Sequence, residues 1–137
     1  MKKKFAFLFL MTILLSGCAG ANPLSDTSWE LIAYGPVNNP IPAEPGIFAT
    51  ISFSADSNLK GNVGCNSFSG PYQVSGNDLT TGPLMATLMA CESARMEQES
   101  AVLMLLNGRL AFESDGESLT ITSEDGNSEL YLLSTEN

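Results

Sequence analysis

The sequence predicts an α+β fold that is mainly β, with several antiparallel strands and one helix. Three observations carry this. Apolar residues recur at every second position through most of the chain after Thr27, the period of a strand buried on one face. Three dipeptides that favour tight hairpins, Gly76-Asn77, Asp115-Gly116 and Asp125-Gly126, punctuate these runs. One stretch alone, Ser93 to Asn107, is built mainly from good helix formers. At 137 residues the chain has the size of a single domain and can bury a real core.

In chain order, Ile47, Ala49, Ile51 and Phe53 alternate with Phe48, Thr50, Ser52 and Ser54. Leu59, Gly61 and Val63 continue the pattern, as do Tyr72 with Val74, Leu110 with Phe112, and Leu119 with Ile121. The short turns between them imply antiparallel neighbours. From Tyr34 to Gly46 the chain holds Pro36, Pro40, Pro42 and Pro45, none with an N–H for a sheet ladder, so this stretch is expected to be an exposed loop. The helix has Glu97 and Glu99 early, Leu103, Leu105 and Leu106 late, and Gly108 as its stop. Ser93 is its expected N-cap, without a capping box because Met96 stands three positions on. The apolar run Ala101 to Leu106 is continuous, so it predicts burial against a sheet without deciding which face packs inward.

The chain contains no histidine, which removes the commonest general base, the commonest zinc ligand and every Ser-His or Cys-His pair. Fifteen acidic side chains face six basic ones, a net charge of −9, against a nucleic-acid partner. Asp115-Gly116-Glu117 and Glu124-Asp125-Gly126-Asn127 lack the oxygen spacing of an EF-hand loop and are read as turns. No enzyme activity, cofactor or metal is expected.

Lys2, Lys3 and Lys4 precede an apolar run, Phe5 to Leu15, interrupted only by Thr12 and followed by Ser16-Gly17-Cys18. Its length of about 16 Å, at 1.5 Å per residue, is too short for a bilayer and fits an export signal. Leu15-Ser16-Gly17-Cys18 resembles a bacterial lipobox. The resemblance implies a signal peptide over residues 1–17 and acylation of Cys18; the small and polar residues that follow suit a lipidated tether over 18–26, with the folded domain expected over 27–134. An ordinary secretory signal cut near Ala19 or Ala21 is the alternative. Ala19 after the cysteine resembles the pattern sorted to the outer membrane in a Gram-negative host; otherwise the anchor lies on the outer face of the cell membrane. Processing leaves Lys60, Arg95 and Arg109 against all fifteen carboxylates, a charge of −12. Such acidity suits solubility and repulsion from an anionic surface, and also steering toward a basic protein.

The most unusual stretch is Gly61-Asn62-Val63-Gly64-Cys65-Asn66-Ser67-Phe68-Ser69-Gly70-Pro71-Tyr72, where the glycines suggest a bend needing positive φ or close backbone approach. Leu84-Met85-Ala86-Thr87-Leu88-Met89-Ala90-Cys91 then runs into the helix. With Trp29 near the domain start, these segments resemble the META domain of the HslJ-like heat-shock lipoproteins. Trp29, Gly61, Gly64, Cys65, Asn66, Phe68, Gly70, Tyr72, Thr87, Met89, Cys91 and Glu97 occupy positions matching the family pattern, over about Leu24 to Leu133. Asp26 stands where the family usually has a glycine. The resemblance implies a curved antiparallel sheet or incomplete β-barrel with one helix packed across it.

With Cys18 committed to lipid, Cys65 and Cys91 remain, and in an oxidising compartment a disulfide between them is expected, with a pair of buried thiols as the alternative. A catalytic thiol finds little support, since Glu92 beside Cys91 opposes a thiolate and the spacing matches neither a Cys-x-x-Cys pair nor a zinc site. Trp29, Phe53, Phe68 and Tyr72 are expected in the core, with a ligand pocket as the alternative.

Three functions follow as expectations. The first is a non-enzymatic, monomeric envelope lipoprotein that binds other envelope components, with the resemblance implying a part in heat-shock or envelope stress tolerance and drug resistance. The second is a carrier of a lipid or acyl chain within a barrel cavity. The third is an acidic inhibitor of a basic enzyme such as a lysozyme.

Overall fold

The computed structural model describes residues 20–136. The expected signal peptide and Cys18 lie outside the described residues. The described residues form ten strands: β1 (Thr27–Pro36), β2 (Ile41–Pro42), β3 (Thr50–Phe53), β4 (Asn58–Asn62), β5 (Ser67–Ser75), β6 (Asp78–Thr81), β7 (Met85–Ala86), β8 (Arg109–Ser114), β9 (Ser118–Ser123) and β10 (Ser128–Ser134). One helix among the described residues, α1 (Ser93–Leu105), stands between β7 and β8.

The fold is mainly β as expected, and the sheet goes further than an incomplete barrel: it closes. Strands β1, β3, β4, β5, β6, β8, β9 and β10 are joined edge to edge, and β10 pairs antiparallel with β1 from Trp29 opposite Ser134 to Pro36 opposite Ser128. The register slips between Leu31 and Ala33, a bulge that leaves Ile32 unpaired against β10. The slip moves the inward positions of β1 from Trp29 and Leu31 to Tyr34, and the Ile32 carbonyl accepts the Ala43 N–H.

Alternation then fills the interior. Ile51 and Phe53, Leu59, Phe68 and Tyr72, Leu79, Leu110 and Phe112, Leu119 and Ile121, and Leu130 and Leu132 all point inward and are buried. Trp29, Phe53, Phe68 and Tyr72 are core residues, none more than 3% exposed. Phe53 and Tyr72 meet edge to face at 5.1 Å, and the polar tips find partners: Trp29 Nε1 donates to Thr27 Oγ1 and the Tyr72 hydroxyl to the Ser54 carbonyl.

Two boundaries differ from the sequence reading. The proline-rich stretch is not all loop, because β1 continues to Pro36 and Ile41–Pro42 pair with Tyr34 and Ala33. The short strand lies at a sheet edge, where a missing N–H removes no ladder bond. The expected tether is also partly folded. Leu24 is completely buried, Asn22 Nδ2 donates to the Tyr72 hydroxyl, and the Thr27 hydroxyl donates to the Leu24 carbonyl. The packed chain therefore begins at Asn22 rather than Thr27.

The three turn dipeptides are where they were expected, with Gly76, Gly116 and Gly126 at positive φ. In the β9–β10 turn the Asp125 carboxylate accepts from the Ser123 hydroxyl, the Asn127 N–H and the Asn127 amide. These bonds, the Ser123 contact first, lower its pKa to about 2. The folded value lies below that of the free side chain. The support that ionised Asp125 gives the turn is thus complete above about pH 4 and is lost as the pH falls through about 2. A carboxyl NMR titration is expected to place the Asp125 midpoint near 2, and Ser123→Ala to raise it toward the ordinary aspartate value.

Candidate functional site

The glycine-cysteine-asparagine bend joins β4 to β5 at one end of the barrel, and α1 lies against that end. Antiparallel alternation brings the end of β1, the start of β3, the β4–β5 bend, the end of β6 and the β9–β10 turn to the same side. From the helix, Gln98 donates to the Val63 carbonyl and accepts the Glu44 N–H, and the Leu106 carbonyl accepts the Thr81 hydroxyl. Val102 and Leu106 are fully buried beneath it.

The centre of this end is a buried carboxylate. Glu99, 8% exposed, accepts the N–H of Cys65 at 2.7 Å and that of Asn66 on one oxygen, and the Asn66 side-chain amide at 2.7 Å on the other. Asn66 uses its remaining capacity on the segment before the helix: its Oδ1 accepts the Met89 N–H at 2.6 Å and the Thr87 hydroxyl at 2.9 Å, and Nδ2 also donates to the Met89 carbonyl at 3.3 Å. Every donor and acceptor of the Asn66 amide is occupied.

Close approach, rather than positive φ, explains the glycines of the bend. A Cβ at Gly64 would overlap the Arg95 carbonyl oxygen and lie 2.9 Å from the Glu99 Cβ. At Gly70 it would come within 2.8 Å of the Pro83 carbonyl oxygen. The first of these lets the helix descend far enough for Glu99 to reach the bend. Asn62 stabilises the same bend, accepting from Gly64 N–H and donating to the Cys65 carbonyl.

Cys65 and Cys91 form a disulfide, with Cα atoms 5.9 Å apart, which fixes the chain immediately before the helix. The helix start differs by one residue from the sequence expectation. The helix cap is Glu92, whose side chain makes no capping bond, and Ser93 is already inside the first turn.

Of the motif residues, the structure thus brings Gly64, Cys65, Asn66, Thr87, Met89 and Cys91 together, while Trp29, Gly61, Phe68, Gly70 and Tyr72 belong to the barrel wall and core. Glu97, matched to the family pattern from the sequence, is exposed and takes no part; the acid that enters the site is Glu99. Gln98 also went unrecognised. Both lie one turn before Val102 and two before Leu106, so helical spacing carried the signal, masked by their polarity. Thr87 and Met89 are exposed in spite of their bonded backbone or hydroxyl. Among the described residues no cluster of acids and cysteines has the arrangement to hold a metal ion. The acids of the two glycine turns bond their own loops.

A closed antiparallel barrel, filled with side chains and covered at one end by a single helix, defines the class: a small all-antiparallel β-barrel domain with a disulfide-pinned polar plug. Residues 22–136 match the META domain, and the chain belongs to the META domain family. Solved structures agree on the fold. A protein from Burkholderia xenovorans determined by NMR superposes with a TM-score of 0.70 at 24% identity, covering 83% of this chain and 85% of that one. A second NMR structure gives 0.62 at 22% identity over 80% and 91%. A crystal structure of a duf4847 family protein from Bacteroides vulgatus gives 0.60 at 14% identity over 81% and 94%. No curated protein matches the sequence at a significant level.

Two outcomes test this account of the site. Glu99→Gln turns an amide toward bonded N–H groups and is expected to cost about 1.5–3 kcal/mol in urea unfolding, whereas Glu97→Gln stays within about 0.5 kcal/mol. Reducing the Cys65–Cys91 bridge is expected to lower stability by about 3–4 kcal/mol in the chain-entropy account, seen as an earlier unfolding midpoint in reductant.

Proposed function

We propose that this META-domain protein is a non-enzymatic binding module of the bacterial envelope, held to the membrane through an acylated Cys18 and contributing to tolerance of heat and other envelope stress. The observation that carries the reading is the fate of the site's polar groups. Glu99, Asn66, Gln98 and Thr81, the side chains best placed for chemistry, are turned inward and bonded to the protein's own backbone or to one another. The two cysteines are tied in a bridge. What remains at the surface is an acidic exterior, suited to recognition rather than reaction.

The carrier reading has less support, because the space an acyl chain would need is filled by Trp29, Phe53, Tyr72 and the aliphatic ring around them. The tether reading is compatible with the described N-terminal residues: Gly20 and Ala21 lie beside Val74, Ser75 and Gly76, at the end of the barrel opposite α1. An anchor attached there would leave the helix end directed away from the membrane.

Intact mass of protein extracted from host membranes tests the anchoring. A chain beginning at Cys18 and carrying diacylglycerol is expected, with Cys18→Ser accumulating uncleaved. A cytosolic product that retains Lys2, Lys3 and Lys4 would overturn it.

A further inference from the structure

The continuous apolar run of α1 offers more surface than the barrel end covers. Val102 and Leu106 are buried, and Leu103 and Leu105 are partly so, but Met104 is 80% exposed and Ala101 is open. Beside them lies a groove of about 310 Å³ walled by Tyr34, Gly35, Ala101, Met104 and Leu105, with Asp125 on its lip. This volume stands at the small end of ligand pockets and suits an anchoring side chain better than a whole small molecule. The wall is preorganised. Tyr34 is buried in the core, and Gly35 lies on paired strand opposite Glu129.

Charge says what would fill the groove. Carboxylates lie at it and near it: Asp125 lines the groove, Glu129 is the strand partner of Gly35, and burial first, then the charges of Glu97 and Glu44, raise the Tyr34 pKa. The adjoining depression adds Glu124 and one cation, Arg109. A second copy of this chain, itself bearing −12 once processed, would meet like charge across such a contact. Gly20 and Ala21, at the start of the described residues, lie at the opposite end of the barrel.

We infer that this groove is the docking surface for a basic partner protein, which inserts an apolar side chain between β1 and α1 while flanking lysines or arginines meet the surrounding carboxylates. The inference deepens the binding-module reading and rests on it. The arrangement is that of an apolar anchor inside a charged rim, in which the anchor supplies affinity and the charges supply encounter rate and partner choice.

The test uses isotope-labelled protein and two short designed peptides with one leucine pattern, flanked by lysines in one and by glutamates in the other. The lysine peptide is expected to shift the amide signals of Tyr34, Gly35, Ala101, Met104 and Ser128, and to bind more weakly at high salt. Ala101→Trp fills the groove from an exposed position and is expected to weaken binding about tenfold while the remaining spectrum shows an intact fold. Equal binding of the glutamate peptide, shifts centred on Leu84 to Ala90, no shifts at all, or unchanged affinity in Ala101→Trp would each overturn the assignment. Failure of acylation at Cys18 would leave this titration unaffected, and a negative titration would leave the mass of the anchored protein unaffected, so the two readings fail separately.

Discussion

The helix can sit on the barrel only because Glu99 meets backbone N–H groups when it arrives. A carboxylate taken out of water without partners costs several kcal/mol, enough to unseat a helix whose apolar contribution at that end is limited to residues such as Val102 and Leu106. The β4–β5 bend removes that cost by presenting the N–H groups of Cys65 and Asn66 together. Gly64 is the steric condition for this, since any side chain there would hold the helix off. Asn66 then carries the constraint outward, with its amide bonded to Glu99 on one side and to Thr87 and Met89 on the other. The disulfide repeats the same tie covalently a few residues on. The bend, the segment from Leu84 to Ala90 and the helix are therefore one unit, tied by Glu99, Asn66 and the disulfide.

The sequence displayed what is local and hid what is long-range. Strand alternation, the turn dipeptides and the helix span are set by neighbours in the chain, and each appears close to its expected place. Closure was not legible, because pairing Trp29 with Ser134 spans nearly the whole domain and nothing in either strand announces the other. The inward face of α1 was hidden for a different reason: its N-terminal half buries Gln98 and Glu99, so a reading that equates apolar with inside selects the wrong surface. Glu97 matches the family pattern by resemblance, which gives no helix face; the structure turns Glu99, two residues on, toward the bend. The Ile32 bulge was equally invisible, because a one-residue slip reverses inside and outside without changing the composition.

Using the polar groups internally divides the molecule into regions of different freedom. The barrel interior and the helix seat are committed to stability, and change there is felt as unfolding. The strap from Leu84 to Ala90 is held by its backbone and by the Thr87 hydroxyl, leaving Met85, Leu88 and Met89 exposed. In the groove Ala101 and Met104 are likewise exposed, whereas Tyr34 and Leu105 belong to the core packing. Substitution of the exposed side chains Met85, Leu88, Ala101 or Met104 changes what the domain presents without removing a side-chain hydrogen bond of that unit.

A polar plug also fixes the register of the helix on the barrel. An apolar helix on an apolar rim can slide between nearly equivalent packings, whereas Glu99 has only one position from which both its oxygens are satisfied. Gln98 adds a second fixed point through Val63 and Glu44, and Thr81 a third at the helix exit. These bonds span the length of α1, from its second turn to its C-terminal cap. With rotation and translation of the helix both removed, Ala101 and Met104 stay at a set distance from Tyr34 on β1. The groove between them is consequently a rigid feature of the fold, although neither wall takes part in the hydrogen-bond network that positions it.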